Sequence, residues 1–279
     1  TTTEDIFAVN NDVKVQENVP LAGFTSGADE VDYGFMFPTG DWFARGDNKD
    51  GQDWVIKNGA VIAKTGDPVH AGAVENYSQA PYSSTFFEFA VNGLGDVIVA
   101  GTTNALEDRS NAVLVLNNAI VVAREDDPID LDGNGVLDDA FRVRTFGNDD
   151  AILTNDFQLY VTCTMRDIND DGSNTDVGDA FIRYNLCGIA RPCGDIDADG
   201  DVDGDDYVEF LAAFSTTTCD ADFKVCADFD RDGLISFIDY QRWLACYEDF
   251  NGYPFGGQPR RLLDAPTPGQ TQAPQAFGR

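Results

Sequence analysis

Asp195-Ile-Asp-Ala-Asp-Gly-Asp-Val-Asp-Gly-Asp-Asp206 and Asp228-Phe-Asp-Arg-Asp-Gly-Leu-Ile-Ser-Phe-Ile-Asp239 share one spacing. Carboxylates stand at positions 1, 3 and 5, glycine at 6, an apolar residue at 8 and a carboxylate at 12. Alternate residues turn their oxygens to one side. A glycine at position 6 permits the sharp bend that lets position 7 offer its carbonyl. Ile196, Val202 and Ile235 alternate with the acids and can point into a small core. Each loop opens a stretch with apolar residues at helical spacing, Asp206-Tyr-Val-Glu-Phe-Leu-Ala-Ala-Phe214 and Asp239-Tyr-Gln-Arg-Trp-Leu-Ala-Cys-Tyr247. Two acidic Asx turns without metal are the plainer alternative. The recurrence of the loop, each time followed by a helix pattern, favours a pair of calcium sites.

The spacing is that of an EF-hand calcium loop. The candidate ligands are Asp195, Asp197, Asp199, Asp201 and Asp206 in the first loop. In the second they are Asp228, Asp230, Asp232, Leu234 through its carbonyl, and Asp239. Both loops end in Asp, and no clear helix precedes the first. Loop-then-helix, twice, with Asp at position 12 resembles the dockerin family over residues 193–247. The resemblance implies two calcium ions, two antiparallel helices and a cohesin-like docking partner. Dockerins of cellulolytic complexes usually carry small hydroxyl residues at positions 10 and 11. Here those positions hold Gly204-Asp205 and Phe237-Ile238, so the resemblance speaks more for the calcium fold than for the cohesin partner.

The chain has 279 residues and a formal net charge of −31, long enough for one large or two smaller cores. Such a surface argues against nucleic acid and anionic membrane, and suits cation binding. The aromatic content, mostly Phe, argues against global disorder. Six cysteines with spacings unlike a zinc site suggest disulfides and an oxidising compartment. In a two-fold dockerin-like module the ends should meet, so Cys193–Cys246 is the first expected bridge. Cys219–Cys226 is the second and Cys163–Cys187 the third. Thr1-Thr-Thr reads as the start of a processed chain, and no signal peptide or membrane-spanning run is seen. The expected location is extracellular, at a bacterial cell surface.

From Glu4 to Leu186 short β-rich runs alternate with turn clusters. A repeat is visible in Asp5–Pro20, Asp53–Pro68 and Ala112–Pro128: strand, Asn-Asn or Asn-Gly turn, strand, then a stop at proline. A fourth copy begins at Asp179–Asn185 and breaks off. A second kind of hairpin precedes these, at Phe86–Ala100, at Phe141–Leu153 and, more weakly, at Tyr33–Ala44. The unit is therefore about four strands, the size of a propeller blade, and it resembles propeller-like repeats of bacterial surface proteins. The expected fold is mainly β: repeated four-stranded propeller-like antiparallel units over 1–188, then a small α-helical dockerin-like module over 189–250. Residues 251–279, rich in Pro, Gly and Gln, read as a tail docked on its own β domain or on a neighbouring subunit.

The repeat count falls short of a closed propeller of 4–8 blades. The N-terminal hairpin completes the last unit within one chain, or open edges pair with a neighbour. Two further acidic loops are candidate calcium sites: Asp130, Asp132, Asn134 and Asp138 in one, Asp167, Asn169 and Asp171 with Asp176 or Asp179 in the other. Neither has a carboxylate at position 12, and calcium site and plain acidic turn both stay open for them. His70 is the one histidine, which leaves no His-based triad, and no nucleophile elbow or phosphate loop is present. The expectation is a secreted, non-enzymatic, calcium-binding structural or adhesive protein that self-assembles as a homo-oligomer or filament. The alternative is a carbohydrate-binding or carbohydrate-processing effector held on a cohesin partner, or a contact with surface polysaccharide.

Overall fold

The computed structural model describes residues 4–37, 40–79, 84–105, 110–131, 140–147, 151–167, 176–187, 189, 192–197, 199–230, 232–251 and 275–276. The chain divides into two compact units. One comprises residues 1–154, 159–184 and 273–279, the other residues 155–158 and 185–272.

The first unit is built of antiparallel strands. A hairpin pairs β1 (Ile6–Val9) with β2 (Asp12–Gln16). Two four-stranded meanders follow, each with neighbours in chain order. The first holds β3 (Ala28–Met36), β4 (Trp42–Asn48), β5 (Asp53–Lys57) and β6 (Ala60–Lys64). The second holds β7 (Phe86–Val91), β8 (Val97–Thr102), β9 (Ala112–Leu116) and β10 (Ile120–Arg124). The third sheet contains β11 (Phe141–Phe146), β12 (Ile152–Leu153), β13 (Gln158–Asp167) and β14 (Gly178–Asn185). β15 (Gln275–Ala276) pairs along β14.

The tight turns explain why these hairpins form. Asn10-Asn11, Asn58-Gly59 and Asn117-Asn118 all have positive φ at both residues, between 51° and 85°. This twist matches that of the flanking strands, and Asn and Gly tolerate it best. The three copies share a second device. The residue after each hairpin accepts, through its side chain, the N–H of the residue that opens it: Glu17 from Asp5 (3.3 Å), Thr65 from Asp53 (3.0 Å) and Glu125 from Ala112 (3.0 Å). The proline stop then hands the chain to its next strand, with bridges Pro20–Gly27, Pro68–Asn76 and Pro128–Arg142.

Alternation along the central strands feeds two cores. Phe43, Val55 and Ala63 on one face of the first meander pack with Phe89, Val97, Val99, Val113 and Val115 of the second. Trp42, Ala44, Trp54 and Ile56 on its other face pack with Phe7, Val9 and Val15 of the N-terminal hairpin. The hairpin therefore covers the first meander and does not complete the last unit, because its inward residues match the bulky, apolar face that β4 and β5 present. The third sheet is tied to the second by backbone bonds from Asp126 N to Val143 O and Val143 N to Asp127 O, both 2.9 Å.

The expected Phe141–Leu153 hairpin is also different. β11 and β12 do not pair with each other; both lie along the ten-residue β13, β11 against its C-terminal half and β12 against Leu159 and Tyr160. A strand that long offers hydrogen-bonding groups to both partners, which local turn signals do not reveal.

In the second unit, α1 (Gly204–Ala213) and α2 (Phe237–Asn251) enclose a small core of Ile196, Phe210, Ala213, Ala227, Ile235 and Trp243. Cys193–Cys246 and Cys187–Cys226 are bridged, with Cα–Cα distances of 5.3 and 5.4 Å. The expected pairings Cys219–Cys226 and Cys163–Cys187 are not formed. Cys163 is buried on the inward face of β13, and Cys219 is exposed. Cys226 lies in a 3-10 turn whose Ala227 enters the core, and this brings its sulfur, like that of Cys187, beside the Asp156 carbonyl. No helix among the described residues is long and apolar enough to cross a membrane.

Candidate metal centre

The two acidic loops fold alike. Gly200 and Gly233, at position 6, have φ of 101° and 84°, a backbone region that side chains rarely tolerate. In each loop the amide of this glycine donates to the position 1 carboxylate: Gly200 to Asp195 (3.1 Å), Gly233 to Asp228 (3.0 Å). The acids at positions 3 and 5 accept from amides two residues on, as Asp197 does from Asp199 and Asp232 from Leu234. These are Asx turns in series, and they bend the chain around a common centre. Ile196, Val202 and Ile235 point away from that centre and are buried.

Position 12 closes each loop. Asp206 accepts from the amides of Ile196, Asp197 and Asp203, and Asp239 from those of Phe229, Asp230 and Ser236. Both carboxylates are fully buried. The same residues belong to helix starts. Asp203 caps α1 and forms a reciprocal capping box with Asp206, which joins the loop rigidly to the helix. In the second loop Ser236 takes that place, bonding Ile238 N at 3.1 Å.

Ligand atoms of Asp195, Asp197 and Asp199 lie within 4.8 Å of one another, as do those of Asp228, Asp230 and Asp239. Asp206 groups with Asp201 and Asp203. Asp203 is a member that the sequence reading omitted, although position 9 of such a loop is a frequent, often water-mediated, ligand position. Desolvation, with repulsion from the neighbouring acids, raises the carboxyls of Asp197 and Asp230 above their usual range. Oxygen-only donors, crowded carboxylates and a position 7 carbonyl (Asp201 or Leu234) fit a hard cation that takes six to eight oxygens. Such an ion would supply the charge that relieves the repulsion.

The other candidates are spread differently. Asp130 is fully buried; Asp132, Asn134 and Asp138 lie outside the described residues, as do Asn169 and Asp171. Asp167 ends β13, and Asp176 forms an ion pair with Arg144. His70 bonds the neighbouring Ala71 carbonyl.

A different charged cluster stands where β10 meets the third sheet. Arg124 makes a two-pronged bond to Glu75 (2.9 and 2.7 Å), and Arg166, itself buried, pairs with Asp126. Burial raises the Glu125 carboxyl to about 7 and that of Asp127 to about 6, against the partial help of backbone amides and arginines. These groups are packed between strands and serve the joint. No family model matches the chain, and neither a curated protein nor a solved structure matches it.

Proposed function

We propose that this chain is a secreted, calcium-stabilised structural or adhesive protein that assembles with copies of itself into a fibre or surface layer. The twin acidic loops carry the calcium part: each gathers its aspartates within ligand distance of one another, and each ends in a buried aspartate, Asp206 or Asp239, in the first turn of the helix that follows. Calcium would order both loops by cancelling carboxylate repulsion, so that binding energy becomes folding energy. Two disulfides are compatible with an oxidising, extracellular setting. The assembly part is supported by β layers that end in open faces and do not close into a ring within the described residues. Light scattering and negative-stain imaging, in calcium and then in excess chelator, test the reading. Fibres that dissolve on chelation are expected; a monodisperse monomer in both conditions would overturn it.

A second reading has one observation in its favour. Val208, Leu211, Phe237 and Ile238 on the two helices are each more than half exposed, beside Tyr207 and Phe214. This apolar face suits a dockerin-like module that tethers a carbohydrate-active β domain to a cohesin-like partner. Tight binding to immobilised cohesin domains, lost in Phe237→Asp, would support it over self-assembly.

A further inference from the structure

Each disulfide of the second unit ends beside one acidic loop, at the same offset. Cys193 stands two residues before Asp195, the first carboxylate of its loop, and Cys226 two residues before Asp228, the first of the other. Their partners come from elsewhere in the unit: Cys246 lies in α2, and Cys187 upstream of the first loop. The residue between cysteine and aspartate is held in both cases. Gly194 has φ of 97°, and a Cβ there would stand 2.9 Å from Val202 and 3.1 Å from Cys246. Its carbonyl accepts the indole N–H of Trp243, a buried bond of 3.1 Å. In the other loop Ala227 is fully buried in the small core. The amide of Asp228 donates to the Val225 carbonyl at 3.2 Å, closing the 3-10 turn that carries Cys226. Neither cysteine can move far without moving the aspartate after it, since two residues of chain span at most ~7 Å.

We propose that the two disulfides are clamps on the loop entries, and that calcium affinity is linked to their redox state. The inference rests on the calcium reading above and names what regulates those sites. With a bridge closed, the position 1 carboxylate is held at the loop centre, on the amide of Gly200 or Gly233, before an ion arrives. With the bridge open, ion binding must also order the loop entry, and that entropy lowers the affinity. Opening takes a dithiol reductant. Its two thiols give two electrons and two protons to the bridge, leaving two cysteine thiols in the protein and a disulfide in the reductant. Linkage runs both ways: calcium opposes reduction by the same factor by which reduction weakens calcium. The pairing is specific. Cys193–Cys246 serves the loop of Asp195, and Cys187–Cys226 that of Asp228. A chain with closed bridges holds calcium tightly, and one exposed to a dithiol releases it.

The test uses the full chain, stripped of metal by a chelator, with calcium alone as the probe. The oxidised chain is equilibrated with dithiothreitol over a range of ratios of its reduced to its oxidised form, with and without saturating calcium. Opened cysteines are alkylated, and peptide mass spectrometry assigns them to a bridge. Calcium should shift the midpoint of each bridge toward more reductant, by about tenfold. In Asp228→Asn the shift should vanish for Cys187–Cys226 and remain for Cys193–Cys246; Asp195→Asn should do the reverse. A general gain in stability would protect both bridges in either variant, and that pattern would overturn the clamps. Calorimetry on Cys193→Ser with Cys246→Ser, and on Cys187→Ser with Cys226→Ser, should find a different site weakened in each, again by about tenfold. Should either variant unfold, the reduction midpoints of the unmodified chain still decide. No shift, in a chain that calorimetry shows to bind calcium, would overturn the linkage and leave the calcium reading standing. A chain that binds no calcium would remove both.

Discussion

The side-chain oxygen of Asn117 accepts a hydrogen bond from the backbone amide of Val97 at 2.8 Å. Asn58 does the same for Trp42 at 2.9 Å. In both cases the side-chain amide also donates to the preceding acid, Asp96 or Asp41. In these two turns the first residue thus supplies the positive φ of its own hairpin and ties down the start of a strand in the same sheet.

Replacing Asn117 separates those roles. Asn117→Gly keeps the turn and loses the bond to Val97, a residue that is almost fully buried. It should cost about 1–2 kcal/mol. Asn117→Ala also places a Cβ in the left-handed region and should cost about 1–2 kcal/mol more. Denaturant unfolding of the two variants measures the difference; equal stabilities would show that the turn conformation is unimportant here.

Glu125 occupies the place that the Thr65 hydroxyl fills in the preceding repeat. Burial raises its folded-state pKa to about 7, above the ordinary value of 4.5. The folded state therefore holds its proton more tightly than the unfolded chain. Stability from this group is fully present below pH 4.5 and falls as pH rises to about 7. Glu125→Gln, which never ionises, should flatten that interval and raise the melting temperature at pH 8, with little change at pH 4. Melts of both proteins at fixed calcium across this range provide the check. A parallel pair of pH profiles would contradict the burial argument.

Calcium removal should act on the second unit first. At a calcium concentration a hundredfold above the dissociation constant, a single site adds about 2.7 kcal/mol to stability. Asp228→Asn removes a charge from the second loop while keeping an oxygen for Gly233 N. It should lose roughly half of the calcium-induced rise in melting temperature. Asp195→Asn with Asp228→Asn should lose nearly all of it. Titration calorimetry would count the sites, and full calcium response in the double variant would sink the assignment.

The bridges close spans of 53 and 39 residues, Cys193–Cys246 and Cys187–Cys226 respectively. On chain-entropy grounds each limits the unfolded state by up to about 4 kcal/mol. Cys193→Ser with Cys246→Ser should therefore destabilise the helical unit strongly, whereas Cys219→Ser, at an exposed free thiol, should be near neutral. Thiol counting should find one reactive cysteine per chain in the native protein, the exposed Cys219, and two after denaturation, when buried Cys163 is released. Any other number would revise the pairing.

The local chemistry was the legible part. Asn-Asn and Asn-Gly between β-rich runs announce the three hairpins, because positive φ at two successive residues is a property of the dipeptide itself. The acidic loops, their glycines and the helices after them are readable for the same reason: every partner lies within about a dozen residues. Asp203 is less legible, because an aspartate there serves equally as a helix cap and as a position 9 oxygen.

Short-range units are written into the residues themselves: hairpins of period two, acidic loops with a bend at glycine, and two amphipathic helices. How they combine follows from contacts between distant residues. The N-terminal hairpin covers the first meander because the shape of Trp42, Trp54 and Ile56 matches Phe7, Val9 and Val15. Cys187 meets Cys226 because both sulfurs converge beside Asp156. β13 separates β11 from β12 because one long strand can pair with both. Each of these outcomes depends on surfaces made by residues far apart in the chain, and complementarity of that kind exists only once the units have folded.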